Sequence, residues 1–247
     1  MKVFAHRGYS GRYPENTMIA FQKAVEAGCE GIELDVQLTK DGEIVIIHDE
    51  LVDRTTDGVG FVKDFTLEEL RKLNASKLWN NVDFAPIPTF LEYCEWVKDV
   101  DIITNVELKT SVQYYHGIEE KTIDMIQKFG LADKMILSSF NLMSVVKTKE
   151  LMKEMKVGAL ILNEGIGDAG LFCKEFGFEC YHPDYKGVTE EMVKQCKEHG
   201  IEVNVWTINH MEGLERLMLL GCDAVITNYP AVCRSFVDDF EKNRYEL

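Results

Sequence analysis

Short β-branched runs alternate with segments of helical period along almost the whole chain, the signature of parallel strands joined by crossover helices. Eight runs read as strands: Val3–Ala5, Gly31–Val36, Ile102–Leu108, Met135–Ser138, Val157–Leu162, Glu179–Tyr181, Glu202–Trp206 and Asp223–Thr227. Helical patterns cover Thr17–Ala27, Thr89–Lys98, Gly117–Phe129, Leu142–Met155, Asp168–Phe176, Thr189–His199, Met211–Leu220 and, after Pro230, Ala231–Phe240. Eight such pairs in 247 residues predict an α/β fold of the (β/α)8 barrel type.

The rhythm breaks once. Thr39–Lys40–Asp41–Gly42 is a turn signal and Ile44–His48 follows it, so a hairpin is expected there rather than a crossover. Folding about that turn returns His48 to the level of Glu33 and Leu34. Residues 49–88 carry one short helical pattern, Thr66–Leu73, among turns, and read as a small insertion over one barrel end, suited to a lid or substrate wall. The organisation expected is a single barrel domain over residues 1–247 with that insertion inside it.

Composition narrows the partners. With 42 acidic residues against 27 Lys and Arg, the net charge is -15, which argues against nucleic acid as a partner. No apolar run approaches the roughly 18 residues of a membrane span. The N-terminus turns polar after Val3–Phe4–Ala5, too soon for a secretory signal, so a cytoplasmic location is expected. Seven scattered cysteines without a C-x-x-C pair read as reduced, buried thiols.

In a barrel of this kind the active site lies at the C-terminal ends of the strands. Those ends carry His6 and Arg7, Glu33 and Asp35, His48 on the returning hairpin, Glu107 and Lys109, then Ser138, Ser139, His182, Trp206, Thr227 and Asn228. Glu33 and Asp35 stand two apart on a strand and so share a face, as do Glu107 and Lys109. Three converging carboxylates repel one another and are costly to bury without a counter-ion. One divalent cation resolves this, and all-oxygen ligation favours Mg2+ or Ca2+ over Zn2+. The alternative is a salt-bridge network of the same acids with Arg7 and Lys109. Three carboxylates, one divalent ion, Arg7 and Lys109 leave one net positive charge, which suits a singly charged phosphodiester. Arg7 could take one of its oxygens in a bidentate fork. His6 and His48 supply an acid and base pair that works near neutrality. His116, His199 and His210 lie away from the strand ends and read as structural, and His182 stays open. Asn16 and Asn228 read as caps or turn residues, and Glu15 as a neighbour of the site.

These residues resemble a known family. His6–Arg7–Gly8, Pro14–Glu15–Asn16–Thr17 with Ala20–Phe21, Glu33–Leu34–Asp35–Val36, Thr39–Lys40–Asp41–Gly42, His48–Asp49, Arg54–Thr55–Thr56 and Gly58–Val59–Gly60 stand in its order. Val106–Glu107–Leu108–Lys109, Ser138–Ser139–Phe140, Val205–Trp206–Thr207–Ile208–Asn209 and Ile226–Thr227–Asn228–Tyr229–Pro230 continue it. Together they are similar to the bacterial-type, cytosolic glycerophosphodiester phosphodiesterases, over nearly the whole chain. One departure is Asp53, where the family often has Leu.

The resemblance implies a distorted barrel with an insertion after the second histidine. It further implies a divalent ion held by Glu33, Asp35 and Glu107, catalytic His6 and His48, and phosphate contacts from Arg7 and Lys109. The implied reaction cleaves glycerophosphodiesters to glycerol 3-phosphate and an alcohol, by way of a cyclic phosphate or by direct attack of water. By likeness to phosphatidylinositol phospholipases C, His6 is the first base and His48 the first acid. Phe140 and Trp206 either pack on the carbon face of glycerol or close the barrel end as ordinary packing. Tyr181, Tyr185 and Trp206 are candidates for a cage around a cationic alcohol. The expected partner is the small-molecule substrate, with neither nucleic acid nor stable membrane association, in a monomer or homodimer. The competing readings are a phospholipase C or D acting on lysophospholipids and a catalytically silent barrel.

Overall fold

In the computed structural model, which describes residues 1–163 and 165–244, the strands are β1 (Lys2–His6), β2 (Gly31–Leu38), β3 (Ile44–Ile46), β4 (Ile103–Leu108), β5 (Met135–Ser139), β6 (Lys156–Ile161), β7 (Cys180–Pro183), β8 (Glu202–Val205) and β9 (Ala224–Thr227). All but β3 run parallel, in the cyclic order β1–β2–β4–β5–β6–β7–β8–β9, and β9 pairs back onto β1. The result is the closed eight-stranded parallel barrel that the alternation predicts. Its helices are α1 (Met18–Glu26), α2 (Leu67–Leu70), α3 (Phe90–Val97), α4 (Ile118–Lys128), α5 (Leu142–Leu151), α6 (Ala169–Phe176), α7 (Glu190–Glu198), α8 (Met211–Leu220) and α9 (Pro230–Arg244). No helix among the described residues is long and apolar enough to cross a membrane.

The hairpin stands where the turn signal put it. β3 pairs antiparallel with the end of β2, Val36 opposite Ile46, and Ile47 N–H donates to the Asp35 carbonyl at 3.0 Å. Between β3 and α3, Leu51 and Phe61 bridge as a short antiparallel pair, and α2 follows. Val52, Val62, Leu70, Ala75 and Ile87 gather here with Val45 and Ile47 of the hairpin into a second apolar cluster, separate from the main core.

Three helix boundaries differ from the sequence reading by three residues or more, and in one of them the last helix runs on past Phe240 to Arg244. The helical pattern over Leu142–Met155 stops at Leu151, because Met152 turns extended and the chain must reach β6 at Lys156. The pattern over Thr66–Leu73 shortens to four residues, started by a reciprocal Thr66–Glu69 capping box. The main core lies between the barrel wall and the helices, while Phe4, Ile136, Cys180, Ala224 and Ile226 form a smaller apolar cluster on the strands themselves. The seven cysteines are all free and buried.

Candidate active site

Strand alternation builds the acidic centre. Glu33 and Asp35 share one face of β2, and the parallel register sets Asp35 beside Glu107 on β4. One carboxylate oxygen of each residue lies within 4.8 Å of those of the other two, and all three side chains are buried. Asp35 is fully buried; its Oδ2 accepts from Asn16 Nδ2 at 2.8 Å, while its Oδ1 has no hydrogen-bond partner. The ion pairs of the alternative reading are present too. Arg7 Nε lies 3.5 Å from Asp35 Oδ2, and Lys109 Nζ lies 2.8 Å from Glu107 Oε1 and 3.8 Å from Asp35 Oδ1.

These pairs do not neutralise the cluster. Burial, then the neighbouring Asp35 and Glu107 charges, pushes the Glu33 carboxyl well above its usual range. Burial also raises Glu107, against the opposing pull of Lys109. At Asp35 burial is outweighed by His48, Lys109, Arg7 and the Asn16 hydrogen bond, and the carboxyl is held low. Without a cation, then, two of three adjacent acids are driven toward their neutral forms. A hard divalent ion suits this donor set, because it would accept the unpartnered Asp35 oxygen and stabilise all three groups as carboxylates.

The β1–α1 turn places Arg7. Arg7 (φ 56°) and Gly8 (φ 75°) are both left-handed, and a Cβ on Gly8 would lie 2.7 Å from the Ala20 carbonyl carbon of α1. This conformation aims the Arg7 N–H at Glu33 Oε2, 2.9 Å away, and sets the guanidinium between Asp35 and Glu15. An unfavourable backbone conformation at a cavity-lining arginine is the kind of strain that functional sites retain.

The two histidines are held by different partners. His6 Nδ1 donates to Asn228 Oδ1 at 2.7 Å, which leaves Nε2 as the unprotonated nitrogen, 4.0 Å from Glu33 Oε2. Burial, and then the Arg7 charge, lowers the His6 pKa to about 4, so its imidazole is neutral near pH 7. His48 Nδ1 instead meets the Asp49 carboxylate at 2.6 Å, and its Nε2 faces Lys109 Nζ at 3.2 Å. Asp49 is held low by that hydrogen bond and, after the opposing effect of burial, by Arg54. Gln37 Nε2 sits within 3.0 Å of the carbonyls of Ile47, His48 and Asp49 and fixes this corner of the hairpin.

His6, Arg7, Glu33, His48, Glu107 and Lys109 line one cavity of about 390 Å³. Asp35 lies behind it, reached through Arg7 and Lys109. Phe140 and Trp206 line the same cavity, packed edge to face at 5.3 Å, and Trp206 Nε1 donates to the His182 carbonyl at 2.8 Å. Leu160, Leu162 and Ile226 extend this apolar wall.

Several residues stand elsewhere than the sequence suggested. The cap of α1 is Thr17; Asn16 is a turn residue with a left-handed backbone (φ 54°), as the turn reading had it, and its side chain also donates to Asp35. Asn228 is the partner of His6, not a cap. Tyr181 is buried with its hydroxyl accepting from Ile166 N–H, and Tyr185 packs against His210, so of the three cage candidates only Trp206 reaches the cavity. His182 is buried on β7 with Asn204, and burial lowers its pKa to about 3. His210 caps α8, and His116 packs on Tyr114. Asn105 was missed. It lines the cavity with neither amide atom partnered, and the signal for it was its place two residues before Glu107 on the same strand face.

Comparison with known proteins gives the family of the chain. Residues 6–232 match the model of the glycerophosphoryl diester phosphodiesterase family. A Caldanaerobacter subterraneus protein named glycerophosphodiester phosphodiesterase is 43% identical over 229 residues, 92% of this chain and 94% of its own length. One of the same name from Bacillus altitudinis is 39% identical over 93% of this chain and 95% of its own. A solved Oleispira antarctica phosphodiesterase, in complex with its product sn-glycerol-3-phosphate, is 31% identical with a TM-score of 0.88, covering 96% of this chain and 97% of its own. With its barrel, its acidic centre and this match over nearly its full length, the chain belongs to the glycerophosphodiester phosphodiesterase family.

Proposed function

We propose that this protein hydrolyses glycerophosphodiesters to glycerol 3-phosphate and an alcohol, with one divalent cation, Mg2+ or Ca2+, held by Glu33, Asp35 and Glu107. The observation that carries the reading is the convergence of three buried carboxylates at a cavity that Glu33 and Glu107 line together with two differently partnered histidines. When bound, the cation supplies positive charge against the phosphoryl oxygens and acidifies a neighbouring hydroxyl.

The side chains divide the remaining work. Arg7 and Lys109, the cations of the cavity, bind the non-bridging phosphate oxygens. His6, neutral and with Nε2 free, takes the proton of the attacking group. His48, backed by Asp49, gives a proton to the departing alcohol. The attacking group in the first step is the glycerol hydroxyl next to the phosphoester. A cyclic phosphate forms, and water opens it with the two histidines in exchanged roles. Phe140 and Trp206 form the wall against which the glycerol carbons pack.

The whole chain acts as one barrel domain in this reading, with residues 49–88 as an insertion. The separate apolar cluster beneath that segment supports it. Seven free, buried thiols support the reducing environment of the cytoplasm. Monomer and homodimer both accommodate the site, since every residue named comes from one chain.

Phosphorus NMR of glycerophosphocholine turnover tests the reaction. It should show glycerol 3-phosphate preceded by a cyclic phosphate, and an analogue lacking the vicinal hydroxyl should remain intact. Turnover of that analogue would replace the cyclising step by direct attack of water. One observation favours a second substrate, lysophospholipid: the apolar wall continues to Leu162, which is 61% exposed. Comparable turnover of lysophosphatidylcholine would establish that reading.

A further inference from the structure

A closed circuit of charged side chains and His48 starts and ends at Asp35 of the acidic centre and runs beside the cavity through His48 and Lys109. From Asp35 it passes to Arg7 (3.5 Å), from Arg7 to Glu15 (2.8 Å), and from Glu15 to Arg54 by two hydrogen bonds of 2.8 Å. Arg54 then meets Asp49 through Nε at 2.5 Å and Nη2 at 3.1 Å. Asp49 holds His48 at 2.6 Å, His48 faces Lys109 at 3.2 Å, and Lys109 returns to Asp35 at 3.8 Å. Arg54 is the only member carried by the 49–88 segment apart from Asp49 at its start, and it closes the circuit.

We infer that Arg54 is a positioning residue for proton delivery to the leaving alcohol, locking the Asp49 carboxylate onto Nδ1 of His48 and tying it to the Arg7 side of the site. The inference rests on the glycerophosphodiesterase reading above. Its argument is geometric. Asp49 lies on a partly exposed corner, and a carboxylate held only by a neighbouring imidazole is free to rotate. Arg54 removes that freedom, because its planar fork engages both carboxylates at once with four of its five N–H donors. Glu15, the far anchor, is itself fixed by Arg7.

The turn that carries Arg54 is itself anchored by packing and hydrogen bonds. Thr56 and Val52 are fully buried, the Thr56 hydroxyl donates to the Val52 carbonyl at 2.8 Å, and Asp53 accepts from Gly60 N–H. The segment after the second histidine thus gains a specific task, the presentation of one guanidinium to two carboxylates. In the step it serves, Lys109 has turned from His48 Nε2 to the phosphate, the phosphorus–oxygen bond breaks, its electron pair leaves with the alcohol oxygen, and the imidazolium of His48, its Nδ1–H held by Asp49, passes its Nε2 proton to that oxygen and is left neutral. An aligned His48 matters most when the leaving group is a poor one.

The test compares glycerophosphocholine with the p-nitrophenyl phosphodiester of glycerol, whose phenolate departs without a proton. Arg54→Ala and Asp49→Asn should each lower kcat on glycerophosphocholine by roughly 10- to 100-fold with KM nearly unchanged, and on the nitrophenyl substrate by less than about 3-fold. The double variant should be no slower than Asp49→Asn alone, because both changes act on one link. Arg54→Lys, which keeps the charge and engages one carboxylate, should fall between and serves if the alanine variant folds poorly. An equal loss on both substrates, no loss on either, or multiplied losses in the double variant would each overturn the inference. Failure of the unmodified protein to cleave either substrate would instead sink the reading of its activity.

Discussion

Asn228 Oδ1 and His6 Nδ1 are 2.7 Å apart, bringing β9's trailing loop onto the last residue of β1 across the barrel seam. Asn228 is itself pinned, its N–H donating to Asn209 Oδ1 at 2.9 Å. The pair fixes both the tautomer and the direction of the His6 ring.

Asn228→Ala should therefore lower kcat by roughly 10- to 100-fold, the scale for a misplaced catalytic group, while leaving KM close to its original value. Steady-state kinetics on glycerophosphocholine checks this. A rise in KM with kcat unchanged would move Asn228 from His6 to the substrate.

The different partners of the histidines predict different responses to the leaving group. His6→Ala and His48→Ala should each cost about 10²- to 10⁴-fold in kcat on glycerophosphocholine. With the p-nitrophenyl diester the His48 variant should recover most of that loss, and the His6 variant should not. Recovery by the His6 variant alone would exchange the roles assigned to them.

Binding of a divalent ion to the acidic centre should stabilise the fold. At one hundred times the dissociation constant the gain is about 2.7 kcal/mol, which corresponds to a Tm rise of roughly 5–10 °C for a chain of this size. Differential scanning fluorimetry with Mg2+, Ca2+ and chelator reads it directly. Glu107→Ala should show much less of the rise, and no rise with any ion in the native protein would remove the metal site.

A packing prediction concerns the barrel interior. A methyl at Gly158 would stand 2.5 Å from Cε1 of the buried His182 ring, so Gly158→Ala overpacks the site. The expected cost is about 1–3 kcal/mol, seen as a lower urea midpoint with an unchanged slope. An unchanged midpoint would mean that the His182 ring has room to move.

The barrel and its acidic centre were legible in the sequence because both depend on short periods. Alternating β and helical runs indicated the eight-stranded barrel, and the spacing of two in Glu33–Asp35 and Glu107–Lys109 placed each pair on one face. The Asp41–Gly42 turn likewise returned His48 to the right height. What escaped depends on contacts between distant segments. Asn228 lies 222 residues from His6, and Arg54 lies 39 from Glu15, separations that no local pattern encodes. Asn16 and Asn228 also sit before helices, where a short polar side chain reads as a cap. Tyr181 and Tyr185 failed as cage residues because strand ends fix height along the barrel, not the direction in which a large ring packs.

The most direct measurement is release of glycerol 3-phosphate from glycerophosphocholine and glycerophosphoethanolamine, coupled to glycerol 3-phosphate dehydrogenase. It is made with Mg2+, with Ca2+ and with chelator. The account predicts release with an ion, loss of release in chelator, and its return when the ion is restored. Release that persists in chelator, or none with either ion from folded protein, would contradict it.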